Sequence, residues 1–317
     1  MQFRQSPRDR QNPSWLNMVD TLQLQAAKYQ KEQKLNRLIV GCGFLGFPLA
    51  KRWAKTLGTY ATTRSNERAA EFRDLGISPL ICDITDSASV QHVVEDLPQM
   101  DTIVFAVGMD RSRYSDIRDV YVKGLQRFFK AWKHPVEHFI YISSTGVFGN
   151  FDGQWIDESA ATAPSREGGK ACLEAERLIA DTTDNWTVLR MAGLYGGQRV
   201  PTRQIVQQKD WGKLSPAGYL NLIHQTDAVN AIMATAEKKP MGQIIHCSDG
   251  HPPVRKDYYQ YIADQVELGP IPWPEKSQVD AQSRSANSKR IGNQKMLDLL
   301  ELKLVHPDFK SGLADVL

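Results

Sequence analysis

Arg37-Leu38-Ile39-Val40-Gly41-Cys42-Gly43-Phe44-Leu45-Gly46 is a short apolar run that ends in Gly-x-Gly-x-x-Gly. Three glycines at this spacing occur by chance in many loops, so their surroundings decide the reading. Leu38 to Val40 is the kind of continuous apolar run that a strand buried on both faces needs. Leu45, Leu49, Trp53 and Leu57 then recur every fourth residue and draw one apolar stripe along a helix. Strand, glycine turn and helix follow in the order a dinucleotide pyrophosphate requires. Gly41 permits the tight turn, Gly43 lets the pyrophosphate approach the backbone, and Gly46 lets the helix pack close to its strand. The helix start, with Phe44 and Leu45 leading into it, offers unpaired N–H groups to the anion.

A carboxylate about 20 residues on, at the end of the second strand, usually binds the ribose 2′-hydroxyl. Here the chain reads Thr59-Tyr60-Ala61-Thr62-Thr63-Arg64-Ser65. Thr63 and Arg64 stand where the acid is absent, and Arg64 suits a 2′-phosphate. A guanidinium–phosphate contact is worth about 1.5–3 kcal/mol, so it should favour NADP(H) over NAD(H) roughly tenfold to a hundredfold. The alternative is a solvated loop arginine.

From Arg37 the pattern alternates. Strands are expected near 37–40, 59–63, 78–82, 102–107 and 138–143, with helices at 44–57, 66–74, 86–97, 113–133 and 170–181. This predicts an α/β fold, a Rossmann-type doubly wound parallel sheet over residues 37–185. Residues 186–317 read as a smaller substrate lobe whose segments 186–191 and 243–247 return to the sheet. Residues 1–36 read as an extension, disordered at first and then helical from Trp15 to about Lys34 behind a Ser14 cap. That extension holds six Lys/Arg and three Asp/Glu of the 39 and 36 in the chain, leaving 33 of each in 37–317. A neutral globular part argues against a nucleic-acid surface. No apolar run approaches the length of a membrane span, and the expected location is cytoplasmic. Cys42, Cys82, Cys172 and Cys247 are dispersed and read as reduced structural thiols, Cys42 having a minor alternative as an oxidisable site beside the phosphate. No metal-ligand spacing occurs, and Asp152, Asp157 and Glu158 read as solvated.

Further motifs resemble the extended short-chain dehydrogenase/reductases, the group of nucleotide-sugar epimerases and dehydratases, in an atypical form. Gly43-Phe44-Leu45-Gly46 resembles their glycine motif, one residue shorter than its common form. Cys82-Asp83-Ile84-Thr85-Asp86 resembles their adenine-contacting turn, and Ala106-Val107-Gly108 the segment under the cofactor. Tyr141-Ile142-Ser143-Ser144-Thr145-Gly146-Val147-Phe148-Gly149 resembles their Ser-Ser-x-x-Val-Tyr-Gly strand end. Lys170 with Glu174 resembles Lys-x-x-x-Glu, and Asn221-Leu222-Ile223-His224 with Asp227 the late loop. The resemblance implies a catalytic Ser144, a Lys170 that also holds the nicotinamide ribose, a small-molecule substrate and a homodimer through the helices near 113–133 and 170–181.

The pattern breaks at the acid–base residue. Aligned on Lys170, the usual Tyr falls on Arg166, which stays charged and cannot exchange a proton near neutral pH. The usual Asn falls on Tyr121. Tyr195 is a candidate replacement acid; Tyr114, Tyr121 and His224 border the same region, each with packing as the simpler role. Two functions are therefore open: an NADP-dependent oxidoreductase or epimerase-like enzyme with a displaced proton donor, or a cofactor-binding sensor that has lost the chemistry.

Overall fold

The computed structural model describes residues 35–197, 199, 210–211, 214–273 and 287–314. The helix expected over Trp15–Lys34 lies outside them. Seven parallel strands form the central sheet: β1 (Asn36–Val40), β2 (Gly58–Thr63), β3 (Ser78–Ile81), β4 (Thr102–Phe105), β5 (Phe139–Ser144), β7 (Trp186–Met191) and β10 (Gln243–Cys247). Their order is β10-β7-β5-β4-β1-β2-β3. The strand order reverses between β1 and β4, so a crevice opens there above the carboxyl ends. Both late runs, Trp186–Met191 and Gln243–Cys247, extend the same sheet beyond β5.

Alternate residues of each strand pack on opposite faces, so these strands read as apolar runs rather than as an alternating pattern. Ile39, Ala61, Ile140 and Leu189 meet α1 (Gly46–Trp53) and α6 (Gln225–Lys238) through Leu49, Trp53 and Ile232. Leu38, Val40, Phe105, Phe139, Tyr141 and Val188 face the other way. They meet α3 (Ser87–Glu95), α4 (Gly124–Ala131) and α5 (Glu167–Thr182) through Val90, Phe128, Ala171 and Ala175. Helix α2 (Asn66–Asp74) begins where the Ser65 hydroxyl accepts the Arg68 amide.

Several expected elements are shorter: the helix expected over 44–57 spans Gly46–Trp53, and two further differences bear on the site. Strand β4 ends at Phe105, because the chain at Ala106–Val107 turns to pass the glycine loop. The helix expected over 113–133 starts only after Asp116 accepts the Arg118 amide, and its first full turn is a π-turn over Asp119–Lys123 that leads into α4. Upstream, Asp110 captures the amide and hydroxyl of Ser112, which holds 110–114 as a turn.

Beyond the sheet, β6 (Trp155–Ile156) pairs with β11 (Arg290–Ile291), and β8 (Gly193–Tyr195) with β9 (Leu222–His224). Helices α7 (Arg255–Gln265), α8 (Gln294–Leu300) and α9 (Phe309–Leu313) complete the described residues.

Candidate functional site

The glycine turn has the shape an anion cradle needs. Gly41 has φ of 95°, and a Cβ there would lie 2.6 Å from the Val107 nitrogen. Its own amide donates to the Thr62 hydroxyl at 2.8 Å. A Cβ at Gly46 would lie 2.5 Å from the Gly41 oxygen, whereas one at Gly43 would meet nothing within 4 Å. Gly41 and Gly46 therefore serve close packing, and the open side of Gly43 leaves room for a ligand. Leu45 is buried beneath the turn, and the Phe44 carbonyl accepts from the Gln225 side-chain Nε2 at 2.7 Å. This cradle fits a dinucleotide pyrophosphate.

On the adenosine side, Thr63 is buried at the end of β2 and Arg64 is exposed. Arg64 donates to Asp110 at 2.8 Å and lies 5.4 Å from the Tyr114 ring centre. Asp83 accepts the Tyr114 hydroxyl at 2.7 Å and the Thr85 hydroxyl at 2.7 Å, and Ile84 is buried beside it. Burial pushes the Asp83 carboxyl up, but the bonds from Tyr114 and Thr85 outweigh it and hold the group below the ordinary value. Asp110 and Tyr114, in the turn after β4, thus tie together the residues expected to receive the adenosine. Arg68 adds a second guanidinium, donating to the Cys42 carbonyl at 2.9 Å. Sequence reading passed over it, although it sits one helical turn after Arg64.

At the other end of the crevice, Ser144 closes β5 and its hydroxyl accepts the Gly146 amide at 3.0 Å. Helix α5 packs tightly here, since a Cβ at Gly169 would lie 2.1 Å from the Gly146 oxygen. Its inward face is Ala171, Cys172, Ala175, Glu176 and Ile179. Lys170 and Glu174 point away: Lys170 pairs with Glu167 at 2.8 Å in an exposed contact, and Glu174 pairs with Arg118. Two helical residues turn about 200°, so Lys170 and Cys172 cannot share a face. The expectation that Lys170 faces the nicotinamide is corrected on this ground.

The inward pair with the same four-residue spacing is Cys172 and Glu176. Glu176 is buried, accepts the Ser143 hydroxyl at 2.6 Å and forms a two-point pair with Arg190. Shifting the register by two moves the usual Tyr position from Arg166 to Gly168 and the usual Lys position to Cys172. Burial pushes the Cys172 thiol up to about 11, so it is not a ready proton donor. Arg166 precedes α5 and lines a cavity of about 190 Å³ with Arg111, Ser165, Glu167 and Gly168.

Tyr195 is also corrected as a candidate acid. It is buried among Tyr258, Phe309 and Leu313, and its hydroxyl donates to the Asp308 carbonyl at 3.2 Å. Burial raises its phenol well above the ordinary value. The late loop holds the C-terminal segments in place. Asn221 bonds Lys289 and Ile291, while Asp227 accepts the amides of Val305 and His306. His224 lies against His306 with ring centres 3.8 Å apart and the ring planes tilted by 51°. Glu158, expected to be solvated, accepts the His246 amide at 2.7 Å and anchors the end of β10. Among the described residues no group of three or more His, Cys, Asp and Glu is gathered for a metal ion, and no helix is long and apolar enough to cross a membrane.

A glycine cradle at the switch point of a seven-stranded parallel sheet defines a dinucleotide-binding protein of the Rossmann class. Residues 22–217, more than half of the chain, match the NAD(P)H-binding family model, and the chain belongs to that family. No curated protein matches it. Among solved structures, one from Methylobacillus flagellatus, assigned provisionally as an NAD-dependent epimerase/dehydratase, shares 26% identity with a TM-score of 0.71, over 90% of this chain and 98% of its own. The dTDP-glucose 4,6-dehydratase of Bacillus anthracis, in complex with NAD, shares 16% identity and a TM-score of 0.70, over 89% and 94%. The UDP-glucuronic acid 4-epimerase of Bacillus cereus, also with NAD, shares 16% and 0.66, over 88% and 96%. The two Bacillus enzymes are alike in fold, and the resemblance to the extended short-chain dehydrogenase group stands.

Proposed function

We propose that this protein binds NADP(H) in preference to NAD(H) and is an oxidoreductase or epimerase-like enzyme acting on a small carbonyl or nucleotide-sugar-like substrate. One observation carries the cofactor choice: β2 leads directly into Arg64, with Arg68 following, and its end holds no carboxylate of its own, the Asp110 carboxylate on Arg64 coming from the turn after β4. The 2′-phosphate would displace Asp110 from Arg64, exchanging one charge-assisted pair for another. Gly41, Gly43 and Gly46 would hold the pyrophosphate, and Asp83 the adenine edge. Bound cofactor supplies hydride transfer; the protein supplies orientation. Ser144 would orient the reacting oxygen, and Arg166 with Arg111 would receive an anionic group of the substrate. Four buried, unpaired cysteines support a reducing, cytoplasmic setting.

A second reading, a cofactor-binding sensor without turnover, is favoured by one specific observation. The inward face of α5 offers Gly168 and Cys172 where the family's Tyr and Lys would stand.

Thermal unfolding with NADP, NADPH and NAD tests the proposal. At a hundredfold excess over Kd, one-site binding adds about 2.7 kcal/mol. No stabilisation by any of the three overturns both readings, and equal stabilisation by NAD and NADP overturns the preference.

A further inference from the structure

We infer that Tyr121 is the proton-exchanging group of this site, brought to the exit of β4 by the π-turn over Asp119–Lys123; this rests on the cofactor-binding reading above. A π-turn inserts one extra residue into a helix and redirects the side chains near it, and such turns concentrate at functional sites. Here Arg127 secures it, donating to the Asp119 carbonyl at 3.1 Å and to its carboxylate at 2.7 Å. The redirected Tyr121 hydroxyl accepts the Met109 amide at 3.3 Å. Met109 directly follows Ala106-Val107-Gly108, the stretch that abuts the glycine turn.

The ring of Tyr121 packs on two clusters at once. One is the sheet core that includes Phe105 and Tyr141; the other joins Val147, Phe148 and Cys172 just past Ser144. Tyr121 therefore packs both on the sheet core and on the cluster just past Ser144, beside the inward face of α5, whose one acid, Glu176, is held by Arg190. Of the neighbouring phenols, Tyr114 donates to Asp83, Tyr195 donates to the Asp308 carbonyl, and Tyr141 is fully buried on β5.

A backbone N–H directed at a phenol oxygen favours the phenolate, and a nearby positive charge favours it further. The titratable neighbours Tyr141 and Cys172 are both pushed toward their neutral forms, by burial first and by the Glu176 carboxylate, which Arg190 pairs. On the turn itself Asp119 is paired with Lys123 and Arg127. In a reduction, Tyr121 gives its hydroxyl proton to the substrate carbonyl oxygen as the carbonyl carbon accepts a hydride from the reduced nicotinamide. The tyrosine O–H bond breaks and an alcohol O–H bond forms. Alcohol and oxidised nicotinamide leave, and the Tyr121 phenolate regains its proton from water. In oxidation the phenolate takes the alcohol proton.

The test reads tyrosinate absorbance during a pH titration of the full chain with saturating NADP⁺ or NADPH, and needs no substrate. The oxidised nicotinamide ring is positively charged and the reduced ring is neutral. One of the ten tyrosines should ionise at least about tenfold more readily with NADP⁺ than with NADPH. Tyr121→Phe should lose that ionisation and keep the thermal stabilisation by NADP⁺, whereas Tyr261→Phe, in the C-terminal cluster against Phe309, should keep both. Tyr121→Met, which fills the same apolar contacts, gives the same readout should the phenylalanine form not fold. NADP⁺ binding without a change in any phenol, or a change that persists in the Tyr121 variants, overturns this role while leaving cofactor binding intact. Absence of stabilisation by either cofactor overturns the underlying reading instead.

Discussion

Glu176 on α5 and Arg190 on β7 form a buried two-point pair, with Nε 3.1 Å and Nη2 2.7 Å from the carboxylate oxygens. The Ser143 hydroxyl donates to the same carboxylate, and the Arg190 guanidinium lies 5.0 Å from the Phe148 ring centre. This arrangement locks the rotation of α5 against the sheet, and with it the identity of every residue facing Ser144. Glu176→Ala leaves Arg190 buried and unpaired, so about 3–5 kcal/mol of stability should be lost. Urea unfolding measures this, and a loss below about 1 kcal/mol would show that α5 is held by apolar packing alone.

Arg64 gives the sharpest test of cofactor choice. Arg64→Asp places a carboxylate where the 2′-phosphate would sit and also repels Asp110. NADP affinity should fall roughly tenfold to a hundredfold while NAD affinity holds or rises. Titration of both cofactors against both proteins decides the matter; an unchanged ratio removes Arg64 from the site.

Gly43 separates cofactor binding from folding. A methyl group there meets no protein atom, so Gly43→Ala should shift stability by no more than about 1 kcal/mol. The same methyl enters the space left for the pyrophosphate, and the cofactor-induced thermal shift should vanish. A retained shift would place the phosphates elsewhere. Gly46→Ala is the contrasting control, since its Cβ would collide with the Gly41 carbonyl and destabilise the fold itself.

The glycine turn and the sheet were legible in sequence because both are written in short stretches: Leu38–Val40 before Gly41, and apolar runs at Trp186–Met191 and Gln243–Cys247. The face of α5 was not. Lys170 with Glu174 and Cys172 with Glu176 show the same spacing, and the choice between them is made by Arg190, a residue on another strand. Tyr195 was misread for a related reason: its partner, the Asp308 carbonyl, lies 113 residues downstream. The start of the helix before α4 depended on Asp110 and Asp116, whose side chains claim local amides before any helical periodicity begins.

Asp249 carries a prediction about pH. It is buried next to the late loop; Oδ1 accepts the His251 amide at 3.0 Å, while Oδ2 is buried with no hydrogen-bond partner. Burial pushes its carboxyl up to about 7, His251 opposing and the carboxylates of Asp308 and Asp227 adding to it. A folded-state value raised above the unfolded one of 3.8 means that the folded protein binds the extra proton. That stabilisation is full below the unfolded value and is lost as pH rises through about 7. Asp249→Asn cannot titrate, so its stability relative to wild type should be about 3–4 kcal/mol higher at pH 8 than at pH 4. His138, which burial lowers to about 4, works in the opposite sense: its contribution is present above the ordinary histidine value and is lost as pH falls toward 4. It is common to both proteins and cancels in the difference. Urea unfolding of the pair at the two pH values checks this, and a stability gap that does not change with pH would mean that Asp249 ionises as an ordinary carboxylate.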